Sequence, residues 1–145
     1  MVPWIEIVLY ENTGCRISHV ARGNNNNALV FDTLDEVLLK NPGAQPLFHS
    51  DRRFQYTNRA FHTKLVNAGI TQSMSRGAKC IDNGPMGGFW GILKRERYYG
   101  KRFTDRVTLV RMIEEYIDYY NNKRLQRNLG ILTPMEKHEI YLQAA

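Results

Sequence analysis

The acidic residue Asp51 follows a short apolar run that predicts a buried β-strand over Pro46–His49. Folds that combine helices and strands usually place their ligands at the carboxyl ends of strands. Carboxylate oxygens are also the ligands that Mg²⁺ prefers in proteins. Asp51 is therefore a candidate metal ligand, and a turn or capping residue is the alternative interpretation of an acid in this position.

A second candidate position for a metal-binding acid is Gly87, which thirty-five intervening residues separate from Asp51 and which lies at the predicted start of a helix. Pro85 suits the first turn of a helix, because its missing N–H would be unpaired there anyway. At helical spacing, one face of this helix is apolar and is formed by Met86, Phe89, Trp90 and Leu93. The same spacing places Gly87, Gly91, Lys94 and Tyr98 on a different side that mostly faces solvent.

Positive charge is concentrated in the last third of the chain. The net charge is +6, and between residues 94 and 127 ten Lys and Arg residues stand against five acidic ones. Such an excess favours a polyanionic partner, although a solvated helix surface is the alternative. The candidate phosphate contacts are Lys94, Arg95, Arg97, Lys101 and Arg102.

Strands are predicted in three places. Two β-rich runs, Trp4–Tyr10 and Cys15–Arg22, are separated by a turn signal and predict a hairpin. The run Pro46–His49 predicts a second strand region, and Ile70–Ser75 predicts the next strand. Helices alternate with these strands, which indicates an α/β fold.

Four further helices are indicated by apolar spacing and by capping residues. The first covers Ala28–Leu39 and is capped by Asn26 or Asn27, and the second is capped by Thr57 or Asn58 and ends near Gly69. A long helix runs from Thr104 or Asp105 to about Lys123. Thr133 and Pro134 open a last short helix.

Length and composition limit the class of protein. A chain of 145 residues fits one domain with its own core, and no apolar run approaches the ~20 residues of a membrane span. Cys15 and Cys80 are too few and too far apart for a zinc site, which favours free thiols. The start of the chain has no signal-peptide pattern, so we expect a cytoplasmic protein.

The ordered set of motifs resembles the catalytic core of bacterial insertion-sequence transposases of the DDE type, which are related to retroviral integrases. The resemblance extends from about Tyr10 to Tyr141. It is carried by His49–Arg52, Gln55–Thr57, Gln72–Arg76, Asp82-Asn83 and Phe89–Lys94, and then by Tyr120-Asn121, Arg124, Leu129-Gly130 and Thr133–Glu136.

This resemblance implies a ribonuclease-H-like three-layer α/β fold. Residues 1–100 would form its ribonuclease-H-like part and residues 101–145 a C-terminal helical part. The family's opening strand, which is central in the sheet and bears the first catalytic carboxylate, would precede Met1. The strands that normally pair through it would pair directly, take a strand from another chain or stay open.

The resemblance also assigns roles to individual positions. Asp51 matches the family's second catalytic carboxylate and metal ligand, Gly87 falls on the position of its catalytic Glu, and Arg53 replaces a usual Gly. Two Mg²⁺ ions need more than one carboxylate to hold them. Neither Asp82 nor Glu96 nor Glu6 is a convincing substitute, so we expect this copy to be catalytically inactive.

The resemblance implies a function in DNA integration and transposition by metal-dependent strand transfer. DNA is the implied partner, with no membrane and no small-molecule substrate, and a homo-oligomer or a complex with an intact transposase subunit is a further expectation. The alternative is a non-catalytic module that binds DNA or pairs with intact transposases.

Overall fold

The structure is a computed structural model that describes residues 4–9, 16–22, 24, 26–76 and 84–144. Its first element is an antiparallel hairpin of β1 (Trp4–Leu9) and β2 (Arg16–Arg22), as the sequence predicts. The parallel pair of β3 (Leu47–Ser50) and β4 (Thr71–Met74) forms a second sheet. Among the described strands, no hydrogen bonds join the two pairs, so they remain separate two-stranded sheets.

Helices connect and cover these strands. α1 (Asn27–Lys40) follows the hairpin and contacts both of its strands, and α2 (Arg59–Asn67) links β3 to β4. α3 (Gly84–Leu93) continues directly into a π-helical turn over Lys94–Tyr98. The chain ends with α4 (Arg106–Asn122), a 3₁₀ turn (Arg127–Leu129) and α5 (Pro134–Ala144).

Side-chain caps set the starts of these helices. Asn26 Oδ1 accepts from the Leu29 N–H at the start of α1, and Asn58 Oδ1 accepts from Ala60 N–H at the start of α2. Asp105 caps α4 by accepting from the Thr108 N–H at 2.8 Å. These caps satisfy N–H groups that have no partner within the helix, and they resolve the alternatives that the sequence leaves open.

The start of α5 is a capping box. The Thr133 hydroxyl accepts from Glu136 N–H at 3.2 Å, while the Glu136 carboxylate accepts from Thr133 N–H at 2.7 Å. The box satisfies two N–H groups at once. Thr133 and Pro134 are both buried, so this junction is a structural part of the C-terminal region.

Two apolar clusters hold the described residues together. The first lies under β3 and β4 and joins α1 to α2; its buried members are Val30, Leu34, Tyr56, Phe61, Leu65 and Ile70. The second joins α3 to α4; its buried members are Phe89, Leu93, Leu109, Ile113, Tyr116, Ile117 and Tyr120. The two clusters fix the ends of β3 and the α3–α4 region, which carry the candidate site residues.

Two details differ from the sequence predictions. β3 is not a fully buried strand: Leu47 is 65% exposed and only Ser50 is buried. Tyr98 does not point freely to solvent but packs against the second cluster and stacks on Phe103, with ring centroids 5.7 Å apart. The π-helical turn accounts for Tyr98, because its wider winding shifts the register that a regular α-helix would keep.

No helix in the described part of the chain is long and apolar enough to cross a lipid bilayer. The turn predicted over Glu11–Gly14 and the acid Asp82 lie outside the described residues, as do Cys15 and Cys80.

Candidate functional site

Asp51 lies where the sequence predicts it, immediately after β3. Since β3 and β4 are parallel, their carboxyl ends meet, and Ser75 N–H extends the pairing by donating to the Ser50 carbonyl at 2.8 Å. Asp51 therefore stands next to the end of β4. This is the position at which α/β sheets usually bind ligands.

The carboxylate of Asp51 is engaged by its neighbour Arg53. Oδ1 accepts from the Arg53 backbone N–H at 3.0 Å, and Oδ2 lies 3.0 Å from Arg53 Nε. The first contact is an Asx-type turn that shapes the chain after β3, and the second is an ion pair. Both carboxylate oxygens thus already have a cationic or N–H partner.

Gly87 lies in the first turn of α3 and is exposed. A Cβ atom built on Gly87 would meet no atom within 4 Å. The position therefore has space for a side chain, but glycine brings no oxygen ligand to it.

The donor groups do not fit a site for two divalent cations. Among the described residues, no group of three or more His, Cys, Asp or Glu side chains is arranged to hold a metal ion. Asp51 is the candidate metal ligand, and its oxygens are shared with Arg53. Hard cations such as Mg²⁺ need several oxygen ligands, and two-metal sites need carboxylates that reach both ions.

His49 is a structural neighbour of this region. Its Nδ1 lies 3.1 Å from Ser73 Oγ on the adjacent strand, so the pair ties β3 to β4 through side chains. This contact favours a structural role over one in orienting a ligand.

The five predicted phosphate contacts all lie on the exposed surface. Three of them, Lys94, Arg95 and Arg97, belong to the π-helical turn, and Lys101 and Arg102 follow it before α4. Arg97 lies over the ring of Tyr119, with its guanidinium carbon 5.8 Å from the ring centroid. We call these five cations the basic segment.

Glu96 anchors the basic segment to α4 and to the chain that follows it. Arg124 Nη2 lies 2.7 Å from Glu96 Oε1, and Arg124 Nε donates to both carboxylate oxygens at 3.1 and 3.2 Å. Tyr116 donates its hydroxyl to Glu96 Oε2 at 2.7 Å. Sequence reasoning treated Glu96 only as a rejected metal ligand and did not predict this network.

The network shifts the pKa values of its members. Hydrogen bonds from Arg124, reinforced by Tyr116, lower the pKa of Glu96 although partial burial opposes this. Burial and the hydrogen bond to Glu96 raise the pKa of Tyr116. Glu96 is therefore an anion at neutral pH, and its charge is directed to Arg124.

Comparisons with known proteins agree with the resemblance seen in the motifs. Residues 87–140 match a family model described as "Integrase core domain". A putative transposase InsK for insertion sequence element IS150 from Escherichia coli is 39% identical over 116 residues, covering 79% of this chain and 41% of the relative. An uncharacterized transposase-like protein from Haemophilus influenzae is 46% identical over 93 residues, covering 64% of this chain and 43% of the relative.

This chain belongs to the integrase-core family of insertion-sequence transposases. The matched residues of the integrase core begin at Gly87 and include the whole basic segment. The chain spans less than half the length of the curated relatives described above.

The fold is confirmed by a solved structure. The catalytic core domain of BIV integrase superposes with a TM-score of 0.70 at 20% identity, covering 98% of this chain and 87% of that one. The ribonuclease-H-like α/β fold predicted from the motifs is therefore correct. Within the described residues, the strands form two separate pairs and not one continuous sheet.

Proposed function

We propose that this integrase-core chain acts in DNA transposition or integration by binding the DNA backbone through the basic segment, and that by itself it does not catalyse strand transfer. The observation that carries the binding part is the exposed set of five cations, three on the π-helical turn that Glu96 and Arg124 anchor and two in the segment just after it. Family membership makes DNA the polyanion to expect.

Phosphate contacts from such a segment are independent of base sequence. Each phosphate neutralised by Lys or Arg releases condensed counterions, so the logarithm of the binding constant falls by about 0.9 per contact for each decade of salt. The turn fixes Lys94, Arg95 and Arg97 on a short arc of backbone, and Lys101 and Arg102 extend that arc. We therefore expect binding that weakens steeply with salt.

The absence of strand transfer follows from the donor groups. Gly87 supplies no carboxylate at the position that the resemblance assigns to the catalytic Glu, and Asp51 is bonded to Arg53 through both oxygens. A pair of Mg²⁺ ions about 3.5–4 Å apart could not be held by this one side chain. Magnesium is the family's implied cofactor, and the described residues of this chain do not form a site for it.

The second candidate function is pairing with an intact transposase subunit. It is favoured by the apolar side chains that α5 leaves on the surface: Ile140 and Tyr141 are each 49% exposed and Leu142 is 59% exposed. Grouped apolar side chains of this kind favour protein–protein contact. Size-exclusion chromatography of the chain with and without an intact transposase would separate this function from DNA binding alone.

Titration of a fluorescein-labelled duplex, followed by anisotropy over a range of salt concentrations, tests the proposal. We expect the double variant Lys94→Gln/Arg95→Gln to lower the affinity and to reduce the salt slope by about two. Arg59→Gln, which removes an exposed charge at the start of α2, is the matched control. Unchanged affinity in the double variant would remove the basic segment from the proposal.

A nicking assay with Mg²⁺ or Mn²⁺ tests the catalytic part. We expect no nicking above background by the purified chain. Metal-dependent nicking that disappears in the Asp51→Asn variant would show that this copy is an active enzyme and would contradict the proposal.

A further inference from the structure

The carboxyl end of the β3–β4 pair carries more positive than negative charge. Asp51, Arg52 and Arg53 follow β3, and Ser75 and Arg76 follow β4. Because the strands are parallel, these two segments lie side by side. We call them the strand-end surface; its three arginines and one aspartate sum to a charge of +2.

Arg52 is held across the ends of both strands. Its Nε donates to the Ser75 carbonyl at 2.9 Å, directly beside the Ser75–Ser50 backbone hydrogen bond. The side chain is otherwise exposed. A main-chain anchor of this kind restricts where the guanidinium can go, so it is pre-positioned at the end of the sheet.

Arg53 is held by Asp51. The backbone N–H and Nε of Arg53 both contact the Asp51 carboxylate at 3.0 Å, while the Arg53 side chain remains 65% exposed. Asp51 therefore orients Arg53 and neutralises part of its charge. It does so without covering the guanidinium from solvent.

Each of these guanidiniums keeps most of its donors for another acceptor. A guanidinium has five N–H groups in a planar fork, and the described residues engage only Nε of Arg52 and Nε of Arg53. The terminal nitrogens match the geometry of phosphate oxygens, which arginine binds through two parallel hydrogen bonds. The end of the sheet is thus arranged to receive an anion.

We infer that the strand-end surface binds the phosphodiester backbone of duplex DNA directly, through Arg52 and Arg53, with Asp51 as the residue that positions Arg53. This inference rests on the proposed function and adds a second contact surface to it. The two surfaces lie on different elements, the ends of β3 and β4 and the turn after α3.

The inference reverses the role that the family resemblance gives to Asp51. A metal ligand would need its oxygens free for a cation, and its loss would weaken any metal-dependent interaction with DNA. A positioning acid inside an anion-binding surface also repels phosphate. Neutralising that acid should therefore strengthen DNA binding while leaving it independent of divalent cations.

The experiment uses the full chain, the labelled duplex and anisotropy in buffer with EDTA and then with Mg²⁺. We expect Arg52→Gln and Arg53→Gln each to weaken binding about threefold to tenfold and to reduce the salt slope by about one. Arg52→Lys should weaken binding less than Arg52→Gln, since it keeps the charge but loses the planar fork and the Nε anchor to Ser75. Asp51→Asn should raise affinity about threefold, because it removes the repelling charge while the amide oxygen can still accept from the Arg53 N–H.

The control Arg59→Gln should have a smaller effect than either strand-end variant, and thermal melts will confirm that all variants are folded. The inference would be overturned if the Arg52→Gln/Arg53→Gln double variant kept the affinity and the salt slope of the wild type. In that case, loss of binding in Lys94→Gln/Arg95→Gln would still support the proposed function. Weaker binding in Asp51→Asn that appears only with Mg²⁺ would also overturn the inference. No duplex binding by the wild type would refute the inference and the proposed DNA binding together.

Discussion

Replacing Arg124 by alanine tests whether the Glu96–Arg124–Tyr116 network stabilises the C-terminal part of the fold. In the structure, Arg124 makes three close contacts with the Glu96 carboxylate, and its guanidinium carbon lies 5.7 Å from the centre of the Tyr120 ring. In the variant, the Tyr116 hydroxyl would still donate to Glu96 Oε2 at 2.7 Å, but the three contacts with Arg124 would be lost. We expect a clear loss of stability.

The size of the expected loss of stability follows from the partial burial of the Arg124–Glu96 pair. The side chains of Arg124 and Glu96 are 23% and 37% exposed, so their pair lies between an exposed ion pair and a buried one. An exposed pair contributes about 0.2–1 kcal/mol and a hydrogen bond to a charged group about 1.5–3 kcal/mol. With about 0.5 kcal/mol for the contact with the Tyr120 ring, the expected loss is about 2 kcal/mol. That corresponds to a fall in Tm of about 6 °C for a chain of this size.

The pH dependence has a definite sign. The pKa of Glu96 is lowered below its usual value near 4.5, so folding favours the ionised carboxylate. The stability that this provides is fully present above the unfolded-state pKa and is lost as the pH falls through the folded-state pKa. The difference in Tm between the wild type and Arg124→Ala should therefore be constant near pH 7 and should shrink below about pH 4.5.

Thermal melts followed by circular dichroism, at pH 7 and at pH 3.5, provide the measurement. Arg111→Ala is the matched control, since Arg111 is an exposed arginine on α4 outside the network. A double-mutant cycle of Arg124→Ala with Glu96→Gln should give a coupling of about 1.5 kcal/mol. Equal changes in Tm for Arg124→Ala and Arg111→Ala, or a difference that persists at low pH, would refute the reasoning.

Three further predictions concern stability. Gly87→Glu should raise the free energy of unfolding by about 1 kcal/mol, because glycine is a poor helix former, the Cβ has space and an acid suits the first turn of α3. The control Gly87→Lys should raise it less, because a cation does not suit the first turn. Magnesium-dependent DNA joining by Gly87→Glu would contradict the expected lack of strand transfer. Thr133→Ala should cost about 1 kcal/mol in chemical denaturation through loss of the capping box, whereas Thr133→Ser should cost less. Phe89→Ala should cost about 3–5 kcal/mol, because Phe89 is 1% exposed at the centre of the α3–α4 cluster; a loss below 1 kcal/mol would contradict that placement.

Local chemistry made much of the fold predictable. Asn26, Asn58 and Asp105 cap helices because their side-chain oxygens reach unpaired N–H groups within three residues, and this needs no distant partner. The apolar spacing around Phe89 and Leu93 predicted the buried face of α3 for the same reason. The order of motifs then led to the correct fold, since each motif has a fixed place in that fold.

Contacts between distant segments were not predictable in this way. The bond between Glu96 and Arg124 joins residues that are 28 positions apart, and no local pattern selects that partner among the many arginines nearby. The π-helical turn that moves Tyr98 towards Phe103 is likewise a result of packing, because a regular helix was equally compatible with the sequence there. The exposure of Leu47 depends on which elements cover β3.

The sequence by itself determined which chemical groups are available: a single acid after β3, a glycine at the start of α3, and a local excess of Lys and Arg. The order of residues along the chain is enough to establish which groups are available, as it is for the helix caps and the apolar stripes. Only the tertiary structure decided what those groups do to one another. It brought Arg52 to the end of β4, and it paired Glu96 with Arg124, because hydrogen bonds and ion pairs depend on distances that folding sets. The contact of Asp51 with Arg53 is local by comparison, since the two residues are two positions apart.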